Sequence, residues 1–357
     1  KSRSRGLGDV YKRQIFYMSI NIGSMLGFLV CGYLGEKVGW HWGFGAAGVG
    51  MTFGVLQYLF SKNSLGEAGK NPNLAPTEDK SKYMNIFKYS AIAIFLLIIS
   101  GFVGLWTVDP QLLNQLTVYL ILIVAISYFI YLFFFAGLGN DEIENIKMLL
   151  LLFFGAVLFW AGFDQGGSSL NLFAKDYTDL FIFGWEMPAT FLQVANPLMV
   201  VIFAPFFAAF WIYLGKKNLD PDTPQKFALG CFLMAIGFLV IIFGVEAAMQ
   251  NEKAGIQFLL ITYLFHTLGE LCLSPVGLSA TAKYSPIKYR GQMMGIWFLS
   301  SSLAAGLAGL LASKSFEAGI ASMPDLFMQI IIALFVVGVL LLISNRFVKA
   351  TEIKEGN

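Results

Sequence analysis

The sequence predicts an all-α polytopic membrane protein with about ten transmembrane helices, and three observations lead to that prediction. Hydrophobic residues make up 57% of the 357 residues and charged residues only 13%, whereas about a quarter of a soluble domain is charged. The 24 basic and 22 acidic side chains are concentrated between long uncharged runs. Most of these runs reach about 20 residues, the length that a helix needs to cross about 30 Å of hydrocarbon.

Ten runs can each supply one membrane-spanning helix. Seven of them contain no Asp, Glu, Lys or Arg: 14–35, 38–61, 89–108, 187–215, 227–245, 291–313 and 326–345. An eighth uncharged run, 110–140, is longer and spans once. Two further runs, 148–163 and 254–269, are each followed by a single acid, Asp164 and Glu270. Runs of this length and uniformity exclude the short alternating strands of a β-barrel, and unpaired backbone is too costly in lipid for any other structure.

Lysine and arginine in the loops predict which end of the chain faces the cytoplasm. With residue 14 on the cytoplasmic side, the cytoplasmic loops and tail hold 15 of these residues and the opposite loops hold four. The positive-inside rule therefore predicts a cytoplasmic C-terminus. The segment 61–86, rich in Asn, Gly and Pro, is predicted to be a cytoplasmic linker. Residues 1–14 differ abruptly from the run that follows, and two interpretations stay open: a basic cytoplasmic flank and sequence foreign to the protein.

The scarcity of Cys and His excludes several classes of chemistry. Cys31, Cys231 and Cys272 are far apart, each inside an apolar run, so the sequence supports neither a disulfide framework nor a zinc site. His41 and His266 are the only histidines, and the sequence contains no phosphate-binding loop. A net charge of +2, evenly spread, gives no sign of nucleic-acid binding. We therefore expect no enzyme, no metal and no organic cofactor.

Six segments share their order and spacing with the helices of one transporter family. They are FYMSINIGSMLGFLVCGYLG (16–35), GWHWGFGAAGVGM (39–51), FWAGFDQGGSSLNLFA (159–174), NPLMVVIFAPFFA (196–208), YLFHTLGELCLSPVGLSATAKYSP (263–286) and GQMMGIWFLSSSLAAGLAGLLA (291–312). They resemble helices five, six, seven, eight, ten and eleven of the proton-dependent oligopeptide transporters (the POT or PTR2 family), a branch of the major facilitator superfamily. Each motif alone is moderately specific, and together the resemblance covers residues 15–349.

The resemblance implies a partial major facilitator fold. That fold has two six-helix halves, and many bacterial members insert a helical hairpin between them. Residues 15–60 then correspond to the last two helices of the N-terminal half, 87–138 to the hairpin, 143–349 to the C-terminal half and 350–357 to a cytoplasmic tail. The first four helices, with the E-x-x-E-R motif on the first of them, have no counterpart in this chain. We expect the 357-residue chain by itself not to transport, because half of the cavity wall is absent.

Two acids inside apolar surroundings are the strongest candidates for function. Glu270 lies between uncharged runs of 16 and 12 residues, where a charge facing lipid would cost at least a few kcal/mol. It is expected to face a cavity or a partner or to stay protonated, and the resemblance implies that it holds the amino terminus of a peptide. Asp164 precedes Gln-Gly-Gly-Ser-Ser, which lets helices approach closely or a half-helix break, and the resemblance links it to proton coupling and gating. The alternatives are a hydrogen-bonded structural carboxyl at Glu270 and a water-facing acid at Asp164.

The resemblance adds five neutral side chains to the site. Trp160, Trp297 and Ser301 would be pocket walls that enclose varied peptide side chains, and the alternative for the tryptophans is packing or lipid contact. Asn196, next to a proline that frees a backbone carbonyl, would contact the peptide backbone, or it is an amide satisfied at a helix kink. Asn21 would be a contact from the first half.

The sequence therefore predicts a proton-coupled symporter that imports di- and tripeptides by alternating access. It predicts a monomeric protein of the bacterial inner membrane, in contact with the lipid bilayer and with protons as the coupling ion. His266, one turn before Glu270, could relay protons, but a packing histidine is the preferred interpretation. The alternatives are a major facilitator transporter of another solute, such as nitrate or a drug, and a non-transporting membrane receptor.

Overall fold

A computed structural model gives the structure of the chain. It describes residues 2–66, 80–105, 107 and 109–344. Residues 67–79, which are half of the linker predicted at 61–86, and the whole of the tail predicted at 350–357 lie outside the described residues.

Eleven α-helices contain most of the described residues. They are α1 (Ser2–Tyr33), α2 (Trp40–Ser61), α3 (Lys80–Phe102), α4 (Pro110–Phe134), α5 (Asn140–Phe163), α6 (Ser169–Tyr177), α7 (Ala195–Lys216), α8 (Thr223–Asn251), α9 (Gln257–Tyr284), α10 (Arg290–Ala318) and α11 (Met323–Ser344). Short segments of other helix types flank several of them. They are a π-helical segment at Leu34–Val38 and 3-10 segments at Lys62–Leu65, Asp164–Gly167, Ala189–Val194, Ile287–Tyr289 and Ile320–Ser322. A two-stranded antiparallel ribbon, β1 (Phe181–Ile182) with β2 (Trp185–Glu186), is the small exception to the predicted all-α class.

Ten segments of the described chain are long and apolar enough to cross a membrane as helices. This result confirms the class that the uncharged runs predicted. α5 and α6 belong to one such segment, Asn140–Tyr177, which is interrupted by the 3-10 turn Asp164–Gly167. A break in the helix at Asp164 is one of the two outcomes that the neighbouring glycines predicted.

The chain divides into two compact units, residues 1–44 with 114–357 and residues 45–113. In the second unit the described side chains are almost all exposed, and the helical stretch Met84–Gly101 has no buried residue. A helix that is apolar on all sides and unburied in its own protein is typical of a membrane span. The first unit contains the buried core, built mainly from α5, α8, α9 and α11.

Within this core, α8 and α9 cross where Gly230 faces Gly269. A Cβ atom on Gly230 would lie 2.9 Å from the carbonyl oxygen of Gly269, and one on Gly269 would lie 2.7 Å from that of Gly230. The two backbones approach this closely because neither residue has a side chain. Since Gly269 immediately precedes Glu270, the crossing fixes where that acid stands in the helix bundle.

Candidate functional site

Glu270 is held by a hydrogen-bonded network between α9 and the start of α7. Asn196 Nδ2 donates to Glu270 Oε2 at 2.9 Å and to Thr267 Oγ1 at 3.0 Å. The Thr267 hydroxyl in turn donates to the backbone oxygen of Tyr263 at 2.7 Å. Both amide hydrogens of Asn196 are therefore engaged, and one of them fixes a carboxylate oxygen. Among the described residues, the other oxygen of Glu270, Oε1, has no hydrogen-bond partner.

A cavity of about 530 Å³ lies beside this network. Its wall is formed by parts of α1, α9 and α10, the end of α5 with the turn that follows, and the segment leading into α7. Asp164 and Asn196 both line it, together with apolar side chains such as Phe28 and Phe163. Glu270 does not line the cavity itself but touches it through the Asn196 amide. The structure thus brings three of the predicted site residues, Asp164, Asn196 and Glu270, to one place.

Gln165 anchors the turn that carries Asp164, and sequence analysis did not single it out. Its side chain is fully buried. Gln165 Nε2 donates to the backbone oxygens of Ala161 at 3.3 Å and Ala308 at 3.4 Å, and its Oε1 accepts from the Ser169 hydroxyl at 2.6 Å. The amide thereby ties the 3-10 turn to α10 and holds the neighbouring Asp164 at the cavity. The signal in the sequence is an uncharged amide between an apolar run and two glycines.

The two predicted tryptophans pack against other side chains in this structure. Trp160 meets Phe163 edge to face, with ring centroids 5.2 Å apart. Trp297 is only 8% exposed, packs on Phe227 at 6.1 Å, and lies so close to Gly277 that a Cβ atom there would overlap its ring. Neither ring lines the 530 Å³ cavity. Their role as pocket walls stays a prediction.

Ser301 and Asn21 are half-buried and also lie outside the cavity wall. Ser301 is one turn after Trp297 on α10. Asn21 lies on α1 three residues before Ser24, which does line the cavity, so the two share one face of the helix. Their contact with a peptide likewise stays a prediction.

His266 lies on the cavity wall, but its ring is packed into the protein. It is 2% exposed, and its ring centroid lies 4.7 Å from that of Phe238. A Cβ atom on Gly237 would lie 2.6 Å from His266 Cδ2. In the part of the chain that the structure describes, no hydrogen bond joins His266 to Glu270, and His266 Nε2 has no partner. This geometry favours the packing interpretation. The described residues also include no group of three His, Cys, Asp or Glu side chains that could hold a metal ion.

Comparison with known proteins decides the family. The sequence model of the POT family matches residues 6–323. The chain belongs to the POT family. Peptide transporter YePEPT of Yersinia enterocolitica is 34% identical to this POT-family chain over 337 residues, which are 92% of the chain and 66% of that protein. Dipeptide and tripeptide permease B of Salmonella typhimurium is 30% identical over 302 residues, which are 84% of the chain and 59% of that protein.

Solved structures confirm the predicted major facilitator fold. The crystal structure of peptide transporter POT in complex with sulfate matches with a TM-score of 0.82 at 34% sequence identity, over 94% of this chain and 67% of that one. The POT-family chain described here spans 59 to 66% of the length of the two relatives above.

Proposed function

We propose that the protein containing this chain is a proton-coupled symporter that imports di- and tripeptides by alternating access. The observation that carries the proposal is the Asn196–Glu270 hydrogen bond beside a cavity that Asp164 also lines. Two acids and one amide come together there, contributed by three different elements. Ionisable groups at such depth are costly in lipid, which supports a functional role. The names of the POT-family relatives supply the substrate class.

Glu270 would bind the amino terminus of the peptide. An ammonium group carries three donors and needs a carboxylate whose oxygens are held in place. Asn196 holds Oε2, so Oε1 is the oxygen directed to the substrate amine. A cationic amine also offsets the cost of keeping this carboxylate charged inside the membrane.

Asp164 would serve proton coupling and gating. It stands on a break between α5 and α6, at the same cavity as Asn196 but on a different element. Breaks in membrane helices form substrate and coupling-ion sites in other transporters. A rocking motion that changes the surroundings of the carboxyl would make it take up a proton on one side and release it on the other.

Trp160, Trp297, Ser301 and Asn21 would complete the peptide site. Because the tryptophan rings are packed in this structure, their contact with peptide side chains requires a change of rotamer or of helix position. A bare anion such as nitrate fits the site poorly, because the carboxyl groups of Asp164, in the cavity wall, and Glu270, beside the cavity, would repel it when charged.

The arrangement of the halves is part of the same proposal. α1 and α2 would be the last two helices of the N-terminal half, α3 and α4 the inserted hairpin, and α5 to α11 the C-terminal half. The protein would be a monomer of the bacterial inner membrane with its C-terminus in the cytoplasm.

Uptake into liposomes tests the function. The full-length protein that contains this chain is reconstituted into liposomes. Uptake of a labelled dipeptide is then measured with and without an inward proton gradient. Wild type accumulates dipeptide only with the gradient. Glu270→Gln abolishes accumulation, whereas Glu246→Gln, an exposed acid of α8, leaves it unchanged. Uptake by Glu270→Gln at the wild-type rate would contradict the proposal, and peptide binding without uptake would indicate a receptor.

A further inference from the structure

One face of α1 leads from the cavity to a contact with the 3-10 turn Ala189–Val194, which precedes α7. Ser24, Phe28, Gly32 and Glu36 follow one another at four-residue spacing, so they lie along one side of the chain at α1. Ser24 and Phe28 line the 530 Å³ cavity. Gly32 and Glu36 both contact the 3-10 turn Ala189–Val194, which itself ends at the cavity wall.

Gly32 brings the backbone of α1 directly onto this turn. A Cβ atom on Gly32 would overlap the hydroxyl group of Thr190, which is 9% exposed. No side chain of the helix separates the two elements at this point. The contact therefore depends on a glycine at this position.

Glu36 fastens the start of the same turn with both of its carboxylate oxygens. Oε2 accepts a hydrogen bond from the backbone N–H of Ala189 at 3.0 Å, and Oε1 accepts one from Thr190 at 2.9 Å. The first N–H groups of a helical turn have no acceptor within it, so a carboxylate from another element satisfies them. The link joins residues more than 150 positions apart in the sequence.

Lys37, the next residue, holds the strand that precedes the turn. Its Nζ lies 2.8 Å from Glu186 Oε2 at the end of β2. The side chains are 32% and 54% exposed, so water reaches this pair. Glu36 and Lys37 both lie in the π-helical turn Leu34–Val38, a local widening of the helix that is frequent at functional positions.

From these contacts we infer a latch, formed by Glu36 with the backbone of Ala189 and Thr190 and by Lys37 with Glu186, that closes this end of the cavity and opens during transport. The latch consists of hydrogen bonds and one water-exposed ion pair, so it breaks without exposing a large apolar surface. Its role in alternating access rests on the proposed transport function, because only a transporter needs this end of the cavity to open.

Reactivity of Cys31 measures the opening without any transport assay. Cys31 is half-buried and lines a second cavity of about 420 Å³ together with Gly32 and Thr190, so its exposure depends on the contact between α1 and the turn. The complete protein in detergent is treated with N-ethylmaleimide, and modification of Cys31 is followed by mass spectrometry. Glu36→Gln is expected to label roughly tenfold faster than wild type, the change that about 1.4 kcal/mol produces.

Charge reversal supplies the matched control. Lys37→Glu and Glu186→Lys each place like charges together and are expected to speed up labelling several-fold, whereas the double variant restores the wild-type rate. Lys175→Glu, a charge reversal on an exposed lysine of α6, is expected to have no effect. If Glu36→Gln fails to fold, the charge-reversal series carries the test, because its double variant keeps an ion pair.

Two results would overturn the latch. The first is an unchanged rate at Cys31 in folded Glu36→Gln. The second is a double variant that labels as fast as either single variant. Both readouts are independent of peptide. Normal uptake by Glu270→Gln would therefore contradict the proposed function without contradicting the latch. An unchanged labelling rate at Cys31 would contradict the latch alone.

Discussion

At the scale of single residues, the site depends on one amide. Asn196 bridges Thr267 and Glu270, and the carboxylate would otherwise lose its donor from α7. Among the described residues, Asn196 is the hydrogen-bond donor to the Glu270 carboxylate, so its removal leaves that carboxylate without a fixed donor. Asn196 is thus a positioning residue for the amine-binding group that we propose.

Replacing this amide weakens peptide binding. Asn196→Ala is expected to lower the affinity for a dipeptide by about tenfold, since hydrogen bonds to charged groups contribute about 1.5–3 kcal/mol. Calorimetry in detergent measures the affinity. Asn251→Ala, an exposed amide at the end of α8, is the matched control and is expected to bind as wild type does. Equal affinities for the two variants would show that Asn196 does not position Glu270.

A second prediction at this scale concerns Glu186. The hydrogen bond from Lys37, with a smaller electrostatic contribution from Lys253, holds the pKa of Glu186 below its usual value. The resulting stabilisation is fully present above the ordinary pKa of about 4.5 and is lost as the pH falls through the lowered value. The Tm of Glu186→Gln should therefore lie slightly below that of wild type at pH 7 and equal it once the pH has fallen below the lowered pKa of Glu186. A Tm difference that persists unchanged at low pH would contradict this account of the ion pair.

At the scale of elements, the crossing of α8 and α9 decides where the site stands. Gly230 and Gly269 bring the two backbones into contact immediately before Glu270. An added methyl group has to push the helices apart, because the atom it meets is a backbone oxygen and not a flexible side chain.

Two glycine substitutions that are expected to change stability in opposite directions test this crossing. Gly230→Ala is expected to reduce stability by about 1–3 kcal/mol and to lower dipeptide uptake. Gly215→Ala in α7 meets no atom within 4 Å and is expected to stabilise slightly, because alanine favours the helix. The Tm values of both variants in detergent, read by intrinsic fluorescence, give the comparison. A Gly230→Ala protein as stable as Gly215→Ala would show that the helices do not need this close approach.

The sequence could predict elements much better than contacts between them. Uncharged runs locate the membrane spans because lipid tolerates few charges, and isolated acids mark Asp164 and Glu270 for the same reason. The pairing of Asn196 with Glu270 could not be predicted, because it depends on how α7 docks on α9 over 74 positions of sequence. Packing was one of the alternatives for Trp297, but its partner Gly277 could not be predicted, because spacing along one helix does not say which face meets a neighbour.

At the scale of the whole molecule, the proposed function depends on a cavity whose wall is formed by several elements. α1 supplies one side, and the end of α5 with the turn after it, the start of α7, α9 and α10 supply the other. Glu36 and Lys37 join the chain at the end of α1 to the segment that precedes α7. In the function that we propose, Glu270 binds the peptide, Asp164 couples the proton and the latch opens. Coupling among them follows if the cavity opens to one side of the membrane at a time.

The most direct test of the central claim compares a dipeptide with its N-acetylated form, which lacks the amine, in wild type and in Glu270→Gln. If Glu270 binds the amino terminus, wild type binds the free dipeptide at least about tenfold more tightly than the acetylated one, and Glu270→Gln binds both equally weakly. A Glu270→Gln protein that keeps the wild-type preference for the free amine would contradict the account.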